Sequence, residues 1–155
     1  MLIFLDIDGV MVQAKPWLPT ALLDDGFSDF NSNATAALNN IIADSNADIL
    51  LTTSHKNRFS ISEWEDIFSK RKITFKSIQK LKSDTLVTGR LEEILHWYSI
   101  NKTLDKFVII DDEKALNNLP KYLKNRLVLT KPYIGLTKSH VEDVISILNT
   151  PLELA

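Results

Sequence analysis

Two aspartates, Asp6 and Asp8, follow directly on a run of four apolar residues at positions 2–5. Such a run is typical of a short buried strand. If the strand geometry continues to its end, side chains two residues apart lie on the same side, so the two carboxylates face each other. Carboxylates held that close repel, which raises the pKa of one of them unless a cation lies between them. The sequence therefore predicts a metal ion or a shared proton here.

Two further apolar runs also end in polar side chains. These side chains are Thr52, Thr53, Ser54, Asp111 and Asp112. The carboxyl ends of parallel strands meet at one edge of a sheet, so four carboxylates and several hydroxyls would converge on one crevice. A single aspartate after a strand often only caps the next helix, but two acidic pairs on two strands favour a site. Hard oxygen ligands without any cysteine indicate Mg²⁺ rather than zinc.

The elements that must position these groups alternate along the chain. Apolar runs predict short strands, and apolar residues at helical spacing predict amphipathic helices between them. This alternation predicts an α/β fold, a Rossmann-like three-layer sandwich with a central parallel sheet and helices on both faces. The predicted strands are 2–5, 49–54, 73–78, 107–112 and 126–130. Helices are predicted at 34–45 with Asn33 as cap, from Ser60 or Ser62 to 70, from 89–90 onward, and after a cap at Thr137 or Ser139. A helical turn is predicted at 113–119.

Length and composition set the class of protein. The chain has 155 residues, of which 45% are hydrophobic and 25% charged, and these values predict a single globular domain over residues 1–155. The net charge of −2 indicates no overall electrostatic attraction to nucleic acid or to anionic membranes. If the substrate were phosphorylated, local cations or a bound metal would have to attract it. No apolar run approaches a membrane span of roughly 20 residues. We expect a cytoplasmic protein without an obligate protein partner.

Three features leave alternatives open. Residues 10–33 show no clear period, so they either cover the edge of the core or form a small flap or lid over the site. His55 and its basic neighbours Lys56 and Arg58 either bind a second phosphate or nucleotide backbone, or form a solvated turn. Two of the three tryptophans, Trp17 and Trp64, either stack on a base or pack in the core or lid, and packing is favoured.

The motifs together resemble the haloacid dehalogenase (HAD) superfamily of phosphohydrolases. The stretch Asp-Ile-Asp-Gly-Val at positions 6–10 resembles its first motif, the run at 49–54 its second, and the run at 108–112 its fourth. The order along the chain also fits. Residues 89–97 followed by the fourth motif are similar to small, nearly cap-less HAD domains, some of which belong to nucleic-acid repair proteins. The resemblance implies a HAD-like fold.

The resemblance also implies roles. Asp6 would be the nucleophile that forms an aspartyl-phosphate, and Asp8 the acid that protonates the leaving oxygen and later the base for water. Mg²⁺ would bind the Asp6 carboxylate, the Asp8 carbonyl and an oxygen of Asp111 or Asp112. Gly9 would let the backbone turn closely past the phosphate.

The remaining roles concern the phosphoryl group. By the same resemblance, the hydroxyl of Thr53 would bind it, with Ser54 beside it and Thr52 as the alternative one residue earlier. The third motif of the family is a cation, more often a lysine. Arg90 is the candidate for it, and Lys82 is the second choice.

These observations favour a Mg²⁺-dependent phosphomonoester hydrolase. Its substrate would be a phosphorylated small molecule, a nucleotide, a polynucleotide end or a protein, since the short chain leaves no room for a large cap. One alternative is a non-enzymatic phospho-acceptor like the receiver domains of signalling relays, although a receiver keeps its acceptor aspartate alone on a central strand. Another is a degenerate HAD fold used for binding, against which the intact carboxylates argue.

Overall fold

The central feature of the fold is a parallel sheet of five strands. The computed structural model describes residues 1–82 and 89–152. The strands are β1 (Leu2–Leu5), β2 (Asp48–Leu51), β3 (Ile78–Lys80), β4 (Phe107–Asp111) and β5 (Leu127–Leu129). The helices are α1 (Ser32–Ser45), α2 (Ile61–Lys70), α3 (Arg90–Ile100), α4 (Lys121–Lys124) and α5 (Lys138–Asn149), with 3₁₀ turns at Lys56–Arg58 and Lys114–Asn118.

The strand order separates this sheet from a receiver domain. The order is β3-β2-β1-β4-β5, with every pair parallel. Receiver domains have the flavodoxin-like order 2-1-3-4-5, whereas 3-2-1-4-5 is the Rossmann order without its sixth strand. The predicted α/β class with a parallel sheet is confirmed, and the phospho-acceptor alternative loses its structural basis.

Both faces of the sheet are buried, which confirms the three-layer arrangement. Alternate side chains of each strand enter opposite layers, because the side-chain period of a strand is two. One layer joins α1, α2 and α5 to the sheet; its strand residues include Ile3, Leu5, Ile49, Leu51, Val108 and Ile110. The other lies under α3 and α4; its strand residues include Phe4, Leu50, Phe107 and Ile109. Within the described residues, no helix is long and apolar enough to cross a membrane.

Several element boundaries differ from the predictions. Helix α1 begins at Ser32 and is capped by the side chain of Asn31, not by Asn33. The predicted strand at 73–78 is wrong for most of its length, because only Ile78–Lys80 pairs with β2, where it forms the edge of the sheet. Residues 83–88, which belong to the predicted polar connection before α3, lie outside the described residues.

The caps and the last elements agree more closely. Ser60 caps α2 in a capping box, and Thr137 caps α5. Strand β5 is shorter than predicted at both ends, and the turn predicted at 113–119 is the 3₁₀ turn Lys114–Asn118. Pro120 follows this turn and stands at the N-cap of α4. These short elements bring the chain back to the sheet.

Residues 10–33, called the flap below, contribute both to the core and to the surface. Val12, Phe27 and Phe30 are buried, whereas Trp17 and Leu22 are largely exposed. The chain doubles back between them, with a bridge from Leu22 to Ser28. That the flap works as a lid remains a prediction.

A buried guanidinium attaches the flap to the end of α2. Arg71 donates two hydrogen bonds to the carboxylate of Asp25, at 2.6 and 3.0 Å. It also donates to the backbone carbonyls of Phe27 and Ser28, both at 2.9 Å. The hydrogen bonds with Arg71 hold the pKa of Asp25 below its usual value. We call the Asp25–Arg71 pair the flap clamp.

Candidate active site

Three carboxylates meet at the carboxyl end of the sheet. Leu5 of β1 is level with Leu51 of β2 and Ile110 of β4, so the residues that follow these strands share one edge. Asp6 follows β1, Asp111 ends β4 and Asp112 follows it, and each offers an oxygen within 4.8 Å of the other two. Asp6 and Asp111 are buried. The convergence of the first and fourth motifs is thus present in the fold.

Arg90, the first residue of α3, is the cation of this cluster. Its Nη1 lies 2.8 Å from Oδ2 of Asp111, 3.3 Å from Oδ2 of Asp6 and 3.9 Å from Oε2 of Glu113. The second choice for this role, Lys82, instead lines a groove between β3 and α3. Of the two predicted candidates, Arg90 is therefore the one that contacts the carboxylates.

Burial and mutual repulsion disturb the titration of the cluster. Burial, followed by the charge of Asp111, raises the pKa of Asp6 to about 9, although Arg90 opposes the rise. Burial and Asp111 also raise the pKa of Asp112. Burial works to lower the pKa of Arg90, but the charges of Asp6 and Asp111 together outweigh it and raise that pKa. The cluster therefore favours extra positive charge, and its all-oxygen donor set fits Mg²⁺.

Gly9 is required by the close approach of Asp112. Its backbone has φ +81°, in the left-handed region. A Cβ on Gly9 would lie 2.0 Å from Oδ2 of Asp112. The turn is fixed by the Gly9 N–H, which donates to the carbonyl of Val12 at 2.7 Å, and by the Thr130 hydroxyl, which donates to the Gly9 carbonyl at 2.7 Å. Only glycine leaves room here for the carboxylate.

Asp8 does not join the cluster of three. The strand geometry ends at Leu5, and the chain then turns, with three backbone N–H groups donating to the carbonyl of Ile7. The side chain of Asp8 is 54% exposed, and its Oδ2 lies 2.7 Å from Nε2 of His55. The expectation that Asp6 and Asp8 face each other as strand neighbours is therefore wrong. The cation that Asp6 requires would instead lie between carboxylates contributed by two different strands.

His55 is a residue whose role the sequence left open. It follows the second motif, and its backbone N–H donates to Oγ1 of Thr53 at 3.2 Å. Its ring contacts the edge of Phe27 from the flap, with centroids 5.5 Å apart. Its contact with Asp8 joins residues 47 positions apart. The only sequence signal for this pair is that both follow strands predicted to end at the same edge.

The hydroxyls after β2 have different surroundings. Thr53 is buried and its Oγ1 accepts the hydrogen bond from His55. Thr52 continues the ladder, donating from its N–H to the carbonyl of Leu5, and its buried Oγ1 has no hydrogen-bond partner among the described residues. Ser54 is exposed. Assignment of the phosphate-binding hydroxyl to Thr53, with Ser54 beside it, stays a prediction.

The turn after the second motif is not fully solvated. Lys56 is buried, and its Nζ lies 3.1 Å from Oε2 of Glu93 on α3. The indole N–H of Trp64 donates to the carbonyl of Lys56 at 3.0 Å. The expectation of core packing for Trp64 is confirmed, and the solvated-turn interpretation is wrong for Lys56. This ion pair ties the segment with His55 to the helix that begins with Arg90.

The family of the chain follows from comparison with known proteins. A family model described as the HAD domain in Swiss Army Knife RNA repair proteins matches residues 2–141. The chain belongs to this family. Comparisons with curated proteins and with solved structures gave no match. The resemblance to HAD domains of nucleic-acid repair proteins is confirmed, and every predicted motif of this HAD domain lies inside the matched residues.

The structure therefore groups the predicted residues of the HAD domain in two sets. Asp6, Asp111, Asp112 and Arg90 form the buried cluster. Around its rim lie Asp8, Gly9, Thr53 and the unexpected His55. An acidic cluster beside a fixed guanidinium is suited to binding a phosphoryl group through a cation, as expected of a phosphoesterase-like HAD domain.

Proposed function

We propose that this HAD domain is a Mg²⁺-dependent phosphomonoester hydrolase that works through an aspartyl-phosphate intermediate. The observation that carries the proposal is the cluster at the strand ends. Three carboxylates lie within 4.8 Å of one another, and Arg90 donates to one of them at 2.8 Å. Burying unpaired aspartates costs free energy, so these carboxylates do not serve to stabilise the sheet. Their presence supports a functional role.

The residues present fit a hard divalent cation. Asp6, Asp111 and Asp112 would hold it through carboxylate oxygens, with the backbone carbonyl of Asp8 as a further ligand by analogy with the family. When bound, Mg²⁺ supplies positive charge that shields the carboxylates from one another and neutralises phosphoryl oxygens. The raised pKa of Asp6 and Asp112 supports this fit, because burial, followed by repulsion from Asp111, disfavours their charged forms unless a cation is bound.

In the first half of the reaction, Asp6 attacks the phosphorus atom. A bond forms between its carboxylate oxygen and phosphorus while the bond from phosphorus to the leaving oxygen breaks. Asp8 gives its proton to that leaving oxygen, which departs as an alcohol. The exposed position of Asp8 suits this role, because the departing group lies on the solvent side. His55 orients the Asp8 carboxylate through the 2.7 Å contact.

In the second half, water attacks the aspartyl-phosphate. Asp8, now ionised, takes a proton from the water as the new oxygen–phosphorus bond forms. The bond between phosphorus and the Asp6 oxygen breaks, which releases inorganic phosphate and restores both carboxylates to their starting states. Thr53 would hold a phosphoryl oxygen, and Arg90 would balance the negative charge during both steps. Gly9 leaves the space that the Asp112 carboxylate occupies.

The proposal is tested by turnover of an aryl phosphate in the presence of Mg²⁺. We expect hydrolysis by the wild type and a loss of about a thousandfold or more in Asp6→Asn. Asp8→Asn should still release the aryl alcohol in its first turnover, because an aryl leaving group needs little protonation, but steady-state turnover should be slow because Asp8 is the base for water. Denaturation of the wild type during turnover of a radiolabelled phosphate ester should trap label on Asp6. Equal rates for the wild type and Asp6→Asn would refute the nucleophile.

The experiment also separates the remaining alternative. A degenerate HAD domain used only for binding would take up Mg²⁺ without any hydrolysis in the wild type. Substrates for the screen are phosphorylated small molecules, nucleotides and oligonucleotides with a terminal phosphate. The description of the family as a domain of RNA repair proteins supports placing polynucleotide ends first in that screen.

A further inference from the structure

Two aromatic side chains lie exposed beside each other at the rim of the site. Trp17 of the flap is 66% exposed and Tyr133, in the loop after β5, is 51% exposed. Their ring centroids are 4.9 Å apart at an interplanar angle of 60°. Leu18 and Ile134 beside them are 58% and 48% exposed. We call these four residues the rim platform. The expectation that Trp17 packs in the core is wrong, whereas its packing in a lid stays a prediction.

The platform is joined to the first motif by backbone contacts. Asp8 forms a bridge with Val12, and two residues later the N–H of Ala14 donates to the carbonyl of Pro132 at 2.8 Å. These contacts set the flap segment that carries Trp17 against the loop that carries Tyr133. A groove of about 390 Å³ is lined by Asp8, by residues 12–16 and by residues 18–20, so that it reaches Leu18 of the platform. Whatever is attached to a phosphate beside Asp8 can therefore follow this groove toward the platform.

Cations flank the same path. Lys15 lines the groove, and the exposed Lys131 immediately precedes Pro132 and Tyr133. The whole chain carries a net charge of −2, so these lysines are local features rather than part of a basic surface. Exposed rings next to lysines complement a ligand that carries both flat apolar faces and negative charge. Unpaired bases on a phosphodiester backbone have this chemistry.

We propose that the rim platform stacks unpaired bases next to the terminal phosphate of a single-stranded polynucleotide. The inference rests on the proposed function, since it places the terminal phosphate at Asp6. Two rings and two aliphatic side chains offer more apolar surface than one base covers, which favours a strand over a mononucleotide. Aromatic stacking tolerates any base, so the platform would select strand form rather than sequence.

The test measures binding without turnover. In the Asp6→Asn background, a fluorescent single-stranded oligoadenylate with a terminal phosphate is titrated with protein, and Kd is read from anisotropy. We expect Trp17→Ala and Tyr133→Ala each to raise Kd roughly tenfold, within the range measured for single stacked bases. Trp17→Phe should restore most of the affinity. Tyr122→Ala is the matched control, because Tyr122 is a 40% exposed aromatic residue on α4 and should leave Kd unchanged.

Further arms identify the ligand chemistry. In the same Asp6→Asn background, an oligonucleotide of the same length whose terminal residues are abasic should bind equally well with and without Trp17→Ala, because stacking needs a base. Ribo- and deoxyribo-oligonucleotides should show the same loss in Trp17→Ala. The platform is refuted if Trp17→Ala leaves Kd unchanged, if it weakens the abasic strand as much, or if it turns an oligomer into a monomer, which would make the surface an interface between copies.

Failure of the two proposals can be told apart. If stacking occurs but no phosphate is released from any substrate, the platform stands and the hydrolase proposal falls. If the wild type hydrolyses phosphate esters but Trp17→Ala leaves KM for the oligonucleotide unchanged, the hydrolase stands and the platform falls. A rise in KM for the oligonucleotide, with KM for glycerol phosphate unchanged, supports both.

Discussion

The burial of Asp6 predicts a specific pH dependence of stability in the metal-free protein. Asp6 is 4% exposed, beside Asp111 and Asp112, with Arg90 as its nearest cation. Ionising Asp6 in the folded protein adds a buried negative charge, whereas ionising it in the unfolded chain does not. Asp6→Asn removes that charge while keeping nearly the same shape, so it should stabilise the fold as it abolishes catalysis.

The magnitude follows from the pKa. Burial and Asp111 raise the pKa of Asp6 to about 9 in the folded protein, and an unfolded aspartate titrates near ~3.9. Because the folded pKa is the higher one, the stability linked to Asp6 is present in full below the unfolded pKa and is lost as pH rises through the folded pKa. Each pH unit between them costs about 1.4 kcal/mol, so two units cost roughly 3 kcal/mol. That is a large share of the ~5–15 kcal/mol typical of a domain.

The assay is urea unfolding in EDTA at about pH 5 and about pH 7, a window that lies between the two pKa values. Unfolding is followed by tryptophan fluorescence, to which the fully buried Trp64 contributes. The wild type should lose roughly 3 kcal/mol more than Asp6→Asn between these pH values. Asp66→Asn, at an exposed position on α2, is the matched control and should behave like wild type.

Equal pH slopes for wild type and Asp6→Asn would refute the electrostatic account of the cluster. Mg²⁺ provides a second check, because a ligand that binds only the folded state stabilises it by about 2.7 kcal/mol at a hundred times its Kd. This gain should be larger at the higher pH in the wild type and much smaller in Asp6→Asn. A Mg²⁺ effect of the same size in both proteins would place the metal elsewhere.

Three further predictions concern the rim of the site and the flap. His55→Ala should slow alcohol release in the first turnover of an alkyl phosphate by about tenfold or more and leave that of an activated aryl phosphate nearly unchanged, because in the proposed mechanism His55 orients the Asp8 carboxyl that protonates poor leaving groups. Gly9→Ala should weaken Mg²⁺ binding by about tenfold or more in calorimetry, since its Cβ would displace the Asp112 carboxylate. Asp25→Asn should lower the free energy of unfolding by about 1–3 kcal/mol at neutral pH, because it leaves the buried guanidinium of the flap clamp without its anion. That difference should shrink at acid pH, since the pKa of Asp25 is lowered and its stabilisation is lost as the carboxylate protonates.

Each of these has a distinct contrary result. Equal losses on both phosphate esters would make His55 a structural residue only, and rescue by His55→Gln would support its hydrogen bond to Asp8. Unchanged Mg²⁺ affinity in Gly9→Ala would show that Asp112 does not bind the metal; Gly26→Ala is the control, because Gly26 has a similar φ of +80° but open space around it. Unchanged stability in Asp25→Asn would show that the flap clamp contributes nothing.

The sequence was sufficient to predict features that depend on local patterns. Buried parallel strands read as short apolar runs, and the polar residues that end them mark the sheet edge where a site forms. This logic located Asp6, Asp111 and Asp112 and the class of the fold. Arg90 was found because it opens the helix that precedes β4, and the structure places its guanidinium on the cluster. Family resemblance added the roles, which geometry alone does not assign.

What the sequence did not predict depends on contacts between distant segments. The pair of Asp8 and His55 joins positions whose only link is the shared sheet edge, and the flap clamp joins Asp25 to Arg71 across 46 positions. Strand β3 was misplaced because residues 73–78 alternate like a strand, whereas pairing with β2 starts only at Ile78. Hydrogen-bond partners, not periodicity, decide where such an edge strand begins.

The separation of Asp6 from Asp8 changes the meaning of the first motif. Two carboxylates on the same face of one strand would share a proton or an ion and could not easily hold different protonation states. Here the turn after β1 leaves Asp6 buried in a cluster contributed by two strands, while Asp8 is half-exposed and bonded to His55. The proposed nucleophile, Asp6, which must be ionised, and the proposed acid, Asp8, which must carry a proton, therefore have different environments. The same turn requires Gly9, because Asp112 occupies the space of its missing side chain. A variant in which strand geometry continued beyond Leu5 through Asp8 would bring both carboxylates to the same face. Such a variant should lose turnover of an aryl phosphate even though every site residue is present.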